Sequence, residues 1–293
     1  MSTQPILALN IGNSRVQFAR FEGVAPFEGS TIRAMLNEPF DALLDALRAE
    51  VGAMKADAPG GESPVVVACS VNPRLTDKIE QAIGKDAEFL VIRRDVPLPI
   101  NHTLDEQGER TVGADRLCDA IGAYALLKQA CVIVDTGSAI TVDFVDGEGT
   151  FHGGAIAPGA RMMLRTLHEK TAALPEVEFA APEGVGDNDS ELQPFGRNTP
   201  QAMLNGVFFA LRGLVRQLAE RYAERYEAYP TIVATGGDAQ TLFGGDELVE
   251  RIVPDLTLRG VAHAFDVWMK TLDDDPSDAS PSDGPTEARD IAR

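Results

Sequence analysis

Residues 9–18 read LNIGNSRVQF, a glycine-containing turn between two apolar segments, and residues 134–144, VDTGSAITVDF, repeat that order about one domain length later. Each stretch has a strand-like segment ending in Asn or Asp, a turn of glycine and small polar residues, and a second strand-like segment. Small polar turns between strands are common. The pair alone therefore leaves two explanations equally open: unrelated hairpins, or a duplicated domain with a cleft between the copies.

The two turns carry residue types that suit phosphate chemistry. Glycine lets the backbone approach an anion closely, and successive N–H groups with a hydroxyl can hold phosphate oxygens. A carboxylate at a strand end can bind Mg²⁺. Residues 135–139, DTGSA, have all these groups, whereas residues 10–14, NIGNS, lack the charge. A third turn, Gly236 and Gly237, leads into a helix predicted to open at Asp238, and could be either a floor for a nucleotide or a plain connection.

Strand-like and helical patterns alternate along the chain. The predicted strands are Ile6–Asn10, Arg15–Phe21, Val65–Ser70, Phe89–Ile92, Cys131–Asp135, Ile140–Val145 and Thr231–Thr235. The predicted helices are Pro39–Val51, Arg74–Gly84, Gly113–Lys128, Met162–Lys170, Thr199–Tyr226 and Val261–Leu272. This alternation predicts an α/β protein.

Two segments next to predicted helices carry more specific expectations. Thr199 suits the N-cap of its helix, and Pro200 suits the first helical position. Residues 151–159, FHGGAIAPG, are rich in glycine and proline and predict a fixed, close-approach loop that precedes a helix.

Asp115 and Arg116 stand next to Gly113 at the start of a predicted helix. Acidic residues favour the first turn of a helix, so the pair could simply be helix-end charges. An adjacent Asp and Arg can also supply a general base and a clamp for a carboxylate. The residues by themselves leave both interpretations open.

Composition narrows the class of protein. The 293 residues carry a net charge of −19, which argues against a nucleic-acid partner. No stretch approaches the roughly 20 apolar residues that a membrane span needs. The opening residues, MSTQPILALN, contain no recognisable secretory signal, so we expect a cytoplasmic protein.

The cysteines and histidines indicate no metal site. Cys69, Cys118 and Cys131 are far apart and lack CxxC spacing, and the 4 histidines lack metal-ligand spacing. We expect reduced cysteines in the core and no zinc.

Motifs along the chain, taken in order, resemble one family: the type III pantothenate kinases of the acetate and sugar kinase, heat-shock-70 and actin superfamily. The motifs are IGNS (11–14), SVNP (70–73), GADR (113–116), DTGSAIT (135–141), GGAIAPG (153–159), TAALPEV (171–177), GRNT (196–199) and TGGDA (235–239). The resemblance implies two ribonuclease-H-like domains, 1–112 and 113–272, with a nucleotide cleft between them. Residues 273–293 are acidic and rich in Pro and Ser, and predict a disordered tail.

The resemblance implies ATP-dependent phosphorylation of pantothenate to 4'-phosphopantothenate, the first step of coenzyme A biosynthesis. It implies Mg²⁺ and a monovalent cation, K⁺ or NH₄⁺, as cofactors, with Asp115 as the general base and Asp135 as the metal ligand. The implied pantothenate contacts are Gly113, Ala114, Asp115, Arg116 and Thr199. The implied ATP contacts are Asn10, Gly12, Asn13, Ser14, Gln17, Ser138, Gly236 and Gly237. A homodimer is also implied, with the substrate pocket at the subunit interface and residues 171–177 near the partner.

The first turn departs from the family pattern, which reads Asp-x-Gly-Asn-Thr with a Lys three positions after the Thr. Those positions here are Asn10, Ser14 and Gln17. Ser keeps the hydroxyl, whereas Asn removes a carboxylate and Gln removes a cation. One alternative is therefore a non-catalytic or impaired relative that binds nucleotide or pantothenate. Another is a kinase that acts on a different small hydroxy acid.

Overall fold

The structure is a computed structural model that describes residues 4–58, 62–183 and 194–273. The strands of the first sheet are β1 (Ile6–Ile11), β2 (Arg15–Glu22), β3 (Ala25–Pro26), β4 (Arg33–Leu36), β5 (Val65–Ser70) and β6 (Glu88–Val91). The strands of the second are β7 (Cys131–Thr136), β8 (Ala139–Val145), β9 (Phe151–Pro158), β10 (Thr231–Thr235) and β11 (Arg251–Ile252). The helices are α1 (Phe40–Asp57), α2 (Pro73–Ile83), α3 (Glu106–Thr111), α4 (Ala114–Leu127), α5 (Ala160–Lys170), α6 (Thr199–Tyr226), α7 (Ala239–Phe243) and α8 (Leu256–Asp273).

The two sheets share one topology. The first follows the order β3-β2-β1-β5-β6, and the second follows the order β9-β8-β7-β10-β11. In each, three antiparallel strands are followed by two strands parallel to the first of them. This repeated order is that of a duplicated ribonuclease-H-like domain, and it confirms the α/β fold and the duplication.

Helices cover both faces of each sheet, as expected for an α/β fold. Helices α1 and α2 pack on one face of the first sheet, and α5, α6 and α7 pack on one face of the second. The remaining two faces are covered by α8 and α4, which contact each other between the sheets. Gly260 has no room for a side chain against the Cys118 carbonyl, so glycine permits the close approach of these two helices. The start of α4 is thereby fixed at the junction of the sheets.

Strand β9 corrects the prediction of a loop at residues 151–159. Phe151–Pro158 pairs antiparallel with β8 as the edge of the second sheet. A side chain at Gly154 would overlap the Val142 carbonyl of the neighbouring strand. The glycine does permit a close approach, but it is an approach within a sheet, and glycine inside a strand often has that role.

The start of α6 corrects a second prediction. Asn198, not Thr199, is the N-cap, because its side-chain oxygen accepts a hydrogen bond from the Gln201 N–H at 3.0 Å. Thr199 is the first helical residue, and Pro200 is the second. The Thr199 hydroxyl is therefore not needed for capping.

Helix α8 differs from the predicted helix in extent and in place. It begins at Leu256 rather than Val261, and it packs on the first sheet although its sequence lies in the predicted domain 113–272. It also includes Asp273, the first residue of the predicted tail. The rest of that tail, 274–293, lies outside the described residues, and the domain boundaries stay predictions. No helix in the described ranges has the length and apolarity to cross a bilayer.

Candidate active site

The first two glycine turns meet at the junction of the sheets. The Ser14 hydroxyl lies 2.9 Å from the Ser138 hydroxyl, although the two residues belong to different sheets. Ser14 follows Gly12 and Asn13 in the turn from β1 to β2, and Ser138 lies in the turn from β7 to β8. The two motifs whose similarity raised the possibility of a duplicated domain thus lie side by side at the junction of the sheets.

Hydrogen bonds hold both turns in place. The Gly12 N–H donates to the Arg15 carbonyl at 2.9 Å, and the Gly137 N–H donates to the Ala139 carbonyl at 3.0 Å. The Asn37 side-chain amide also donates to the carbonyls of Gly12 and Asn13, at 3.1 and 2.8 Å. Both turns are therefore closed, preorganised hairpins.

The third glycine turn lies against the other two. Gly236 has a φ of +91°, and a side chain there would overlap the Asp135 carboxylate. A Cβ placed on Gly237 would lie 3.0 Å from Arg15 Nη1. Only glycine suits both the conformation and the space at Gly236. The sequence allowed this turn to be either a plain connection or a floor for a nucleotide, and in the structure it lies at the same junction as the other two turns.

Asp115 is positioned by the start of α4. Gly113 is the N-cap residue, and a side chain there would overlap Asp115 Oδ1. That oxygen accepts a hydrogen bond from the Arg116 N–H at 2.9 Å, while Ala114 is buried between the sheets. Burial raises the pKa of the Asp115 carboxyl, and the N–H and charge of Arg116 offset part of the rise. A carboxylate of raised pKa is a better proton acceptor.

Arg116 is held by a residue that the sequence reasoning missed. Its Nε donates to Asp143 Oδ2 at 2.9 Å, and its Nη2 pairs with Asp143 Oδ1. The guanidinium also lies over the Phe151 ring, 5.7 Å from its centroid. Guanidinium has five N–H donors, so it keeps donors for a ligand after this two-point contact. Asp143 lies two positions after Thr141, so the two side chains are on the same face of β8. An acidic residue at this spacing from the DTGSAIT motif was the signal in the sequence that could have identified it.

Four aspartates influence one another at the junction. Burial and the charges of Asp115 and Asp143 raise the pKa of Asp135 to about 7. Burial, and then the charge of Asp135, hold the pKa of Asp119 well above its ordinary value, although the Thr257 hydroxyl donates to Asp119 at 2.6 Å. Asp119 was also missed, and its position one helical turn after Asp115 was the signal. The junction of the sheets therefore concentrates acidic side chains.

The Asp135 carboxylate fits a cation site. It is half-buried at the end of β7, and within the described ranges no hydrogen bond or ion pair is found for it. A bound cation would relieve the repulsion that raises its pKa. The described residues bring no three His, Cys, Asp or Glu side chains together as a metal site. Mg²⁺ commonly uses one or two carboxylates and takes phosphate oxygens and water as its other ligands.

Sequence comparison identifies the family to which this site belongs. The chain matches the family model described as type III pantothenate kinase over residues 6–221. A relative named type III pantothenate kinase from Dehalococcoides mccartyi is 34% identical over 270 residues, covering 90% of this chain and 96% of the relative. One from Maricaulis maris is 32% identical over 267 residues, with the same coverage. The chain belongs to the type III pantothenate kinase family.

Solved structures agree on the fold. A conserved Baf family protein from Campylobacter jejuni superposes with a TM-score of 0.57 at 19% identity, covering 92% of this chain and 100% of that one. Component A of (R)-2-hydroxyglutaryl-CoA dehydratase from Acidaminococcus fermentans gives a TM-score of 0.51 at 14% identity, covering 92% and 99%. At such identities the likeness shows the fold alone.

Two departures from the type III pantothenate kinase pattern face each other. Asn10 on β1 is directly opposite Gln17 on β2 in the antiparallel ladder, and opposite residues have neighbouring side chains. The Gln17 amide donates to the Pro254 carbonyl, just before α8, at 2.8 Å. The pair of neutral amides thus occupies the two adjoining positions at which the resemblance led us to expect an Asp and a Lys.

Thr199 is the predicted site residue that the structure does not connect to the others. It is exposed at the start of α6, and across the described ranges no hydrogen bond joins it to Asp115 or Arg116. Its hydroxyl is free of the capping role that the sequence suggested. Its assignment to the pantothenate pocket stays a prediction.

Proposed function

We propose that the protein transfers the γ-phosphate of ATP to the hydroxyl of pantothenate, giving 4'-phosphopantothenate and ADP, the first step of coenzyme A biosynthesis. The observation that carries this proposal is the Asp115 carboxylate, which lies at the start of α4 in a chain of the type III pantothenate kinase family. Its pKa is raised, as suits a base. The three glycine turns that meet at the same junction offer a place for the triphosphate.

Asp115 acts as the general base in this proposal. It accepts the proton of the pantothenate hydroxyl as that oxygen forms a bond to the γ-phosphorus, and the bond from the γ-phosphorus to the bridging oxygen of ADP breaks. Gly113 keeps the space beside the carboxylate clear, and the Arg116 N–H holds one carboxylate oxygen. The other oxygen is left for the hydroxyl.

Arg116 binds the pantothenate carboxylate, with the backbone of Gly113 and Ala114 as further contacts. The contact with Asp143 fixes the plane of the guanidinium, so little side-chain entropy is lost when the substrate binds. The N–H groups that Asp143 does not use make charge-assisted hydrogen bonds to the substrate. Thr199 is proposed as an additional pantothenate contact.

The turns hold the nucleotide. The proposed ATP contacts are Asn10, Gly12, Asn13, Ser14, Gln17, Ser138, Gly236 and Gly237. Asp135 is proposed to hold the cation of the site, with Mg²⁺ and K⁺ or NH₄⁺ as the ions to test. A bound Mg²⁺ would neutralise charge on the phosphates, and phosphoryl transfer depends mainly on positioning and electrostatic stabilisation.

A homodimer is the proposed assembly, with an interface that borders the pantothenate pocket. Its support is a set of large apolar side chains that the second sheet and its helices leave exposed, including one on the edge strand β9. They include Ile156 on β9, Met162 on α5, Phe195 before α6 and Phe209 on α6. Exposed large apolar side chains are candidates for burial against a partner. A cytoplasmic location also stays a prediction.

The direct test is turnover. The purified protein is incubated with ATP, Mg²⁺, K⁺ and pantothenate, and phosphopantothenate is measured by mass spectrometry. Formation of phosphopantothenate by the wild type but not by the Asp115→Asn variant supports the proposal. If the wild type forms no product under any combination of divalent and monovalent cations, the proposal is excluded. Binding without turnover would favour the non-catalytic alternative, and competition by other small hydroxy acids would identify a different substrate.

A further inference from the structure

The Arg15 side chain extends from the first glycine turn to the third. It is the first residue of β2, directly after Ser14 in the first turn. Its Nη1 lies 3.0 Å from the Cβ position of Gly237 in the third turn, which belongs to the other sheet. A guanidinium at this position stands where the three turns meet.

Arg15 also differs from the other cations of the site in having no acidic partner. Within residues 4–58, 62–183 and 194–273, no hydrogen bond or ion pair engages its side chain, which is exposed. Arg116, by contrast, is paired with Asp143, and Arg161 donates to Asp238 beside the third turn at 2.7 Å. The charge of Arg15 is therefore available to a ligand.

A positive charge at this place would offset the negative charges of the site and of a bound nucleotide. ATP carries several negative charges, and the junction already holds Asp115, Asp119, Asp135 and Asp143. Gln17, which stands where the family pattern has Lys, is neutral, and its amide donates to the Pro254 carbonyl. Arg15 and Gln17 are two positions apart on β2, so they lie on the same side of the strand.

We propose that Arg15 is a polyphosphate-binding residue of this protein and supplies at position 15 the cation that is missing at position 17. This inference rests on the proposed function, because it concerns the nucleotide of the same site. The guanidinium donates hydrogen bonds to phosphate oxygens of ATP and spans the gap between the first and third turns. Arginine suits phosphate because its planar set of donors can bind two oxygens at once.

The test separates phosphate recognition from nucleoside recognition. Binding of a non-hydrolysable ATP analogue and of adenosine is measured by calorimetry for the wild type, Arg15→Gln and Arg15→Lys. The control is Arg48→Gln, which removes an exposed arginine from α1, away from the glycine turns. We expect Arg15→Gln to lower the affinity for the ATP analogue about tenfold or more, because a charge-assisted contact is lost. Adenosine binding should stay unchanged, Arg15→Lys should keep most of the affinity, and Arg48→Gln should match the wild type.

Several outcomes would overturn the assignment. Unchanged affinity of Arg15→Gln for the ATP analogue would overturn it. An equal loss of affinity for the analogue and for adenosine would also overturn it, because a purely structural change affects both ligands. If the wild type binds the analogue but yields no phosphopantothenate, the proposed function fails while the Arg15 comparison still decides the inference. If the wild type binds no ATP analogue, both are wrong.

Discussion

The first and second glycine turns have the same place in two copies of one fold, but their chemistry differs. In the first, Asn10 is opposite Gln17 in the ladder, and in the second, Asp135 is opposite Thr141. The first pair is neutral, whereas Asp135 carries a carboxyl whose pKa is raised to about 7. The two copies share the backbone arrangement and a serine in the turn, but the second turn has a carboxylate suited to a cation, whereas the first has Arg15.

The physical basis of the difference is the surroundings of each strand end. Asp135 stands near Asp115 and Asp143, so its charge is costly unless a cation binds. The Asn10 side chain adjoins a neutral amide and, on β5, the register partner Cys69. A neutral first turn therefore avoids adding another negative charge beside the proposed site of the triphosphate.

The largest expected effect comes from Asp115, which belongs to the second copy. Asp115→Asn removes the proton acceptor, and we expect kcat to fall by about 10²–10⁴-fold, the usual contribution of a general base. The affinity for ATP should change little. Steady-state kinetics with pantothenate measure this, with Asp41→Asn on α1 as the matched control. Turnover within a few-fold of the wild type would remove Asp115 from the mechanism.

Asp135→Asn gives the second turn the chemistry of the first. If the carboxylate holds a catalytic cation, activity should fall about 10²-fold or more, comparable to removing one preorganised charge-stabilising group. The dependence of the rate on Mg²⁺ and K⁺ concentration should shift for whichever ion Asp135 binds. Unaltered dependence on both ions would show that the two turns do not differ in cation binding.

The same substitution should change how stability depends on pH. The folded pKa of Asp135 is about 7 against an ordinary value of 3.8, so the folded protein holds a proton that the unfolded chain releases between these values. The free energy of unfolding without nucleotide or metal should thus fall as pH rises from about 4 to about 7, by about 4 kcal/mol at most from this group.

Urea denaturation of the wild type and of Asp135→Asn, repeated between about pH 4 and pH 7, measures how the free energy of unfolding changes with pH. The variant should be less sensitive to pH and more stable than the wild type near neutrality. Parallel curves for the two proteins would contradict the raised pKa.

Restoring the family residues in the first turn should have a smaller effect. Asn10→Asp with Gln17→Lys places an ion pair at positions that face each other in the ladder. Because half-exposed pairs contribute little and Arg15 already carries a charge, we expect kcat/KM to change less than about tenfold. A gain of two or more orders of magnitude in the double variant, measured against each single variant, would instead reveal an impaired enzyme.

The smallest effect concerns the contact between the turns. Ser14→Ala and Ser138→Ala each remove one side of a 2.9 Å hydroxyl contact, and a neutral hydrogen bond contributes about 0.5–1.5 kcal/mol. Each should raise KM for ATP by about two- to tenfold. A double-mutant cycle checks whether the two serines act together, and strictly additive effects would mean that they bind the nucleotide independently.

Much of the fold follows from local patterns in the sequence. The predicted hairpins at residues 10–14 and 135–139 match the turns, because glycine and small polar residues between apolar segments favour them directly. Strand β9 was missed because Gly153 and Gly154 resemble a loop when the neighbouring strand is not known. The full length of α8 was missed for a related reason: its first turn is stabilised by packing against Gly122 of α4 and not by a local signal.

The sequence by itself determined the alternation of the main strands and helices, the glycine turns and the Asp-Arg pair, since these depend on residues close together in the chain. The tertiary structure alone decided that Arg116 is held by Asp143, that Arg15 stands over Gly237, and that Asp115 and Asp135 repel each other. Such contacts join residues far apart in sequence, and their geometry depends on how two sheets pack about α4 and α8. Charge and burial at a site are properties of that packing.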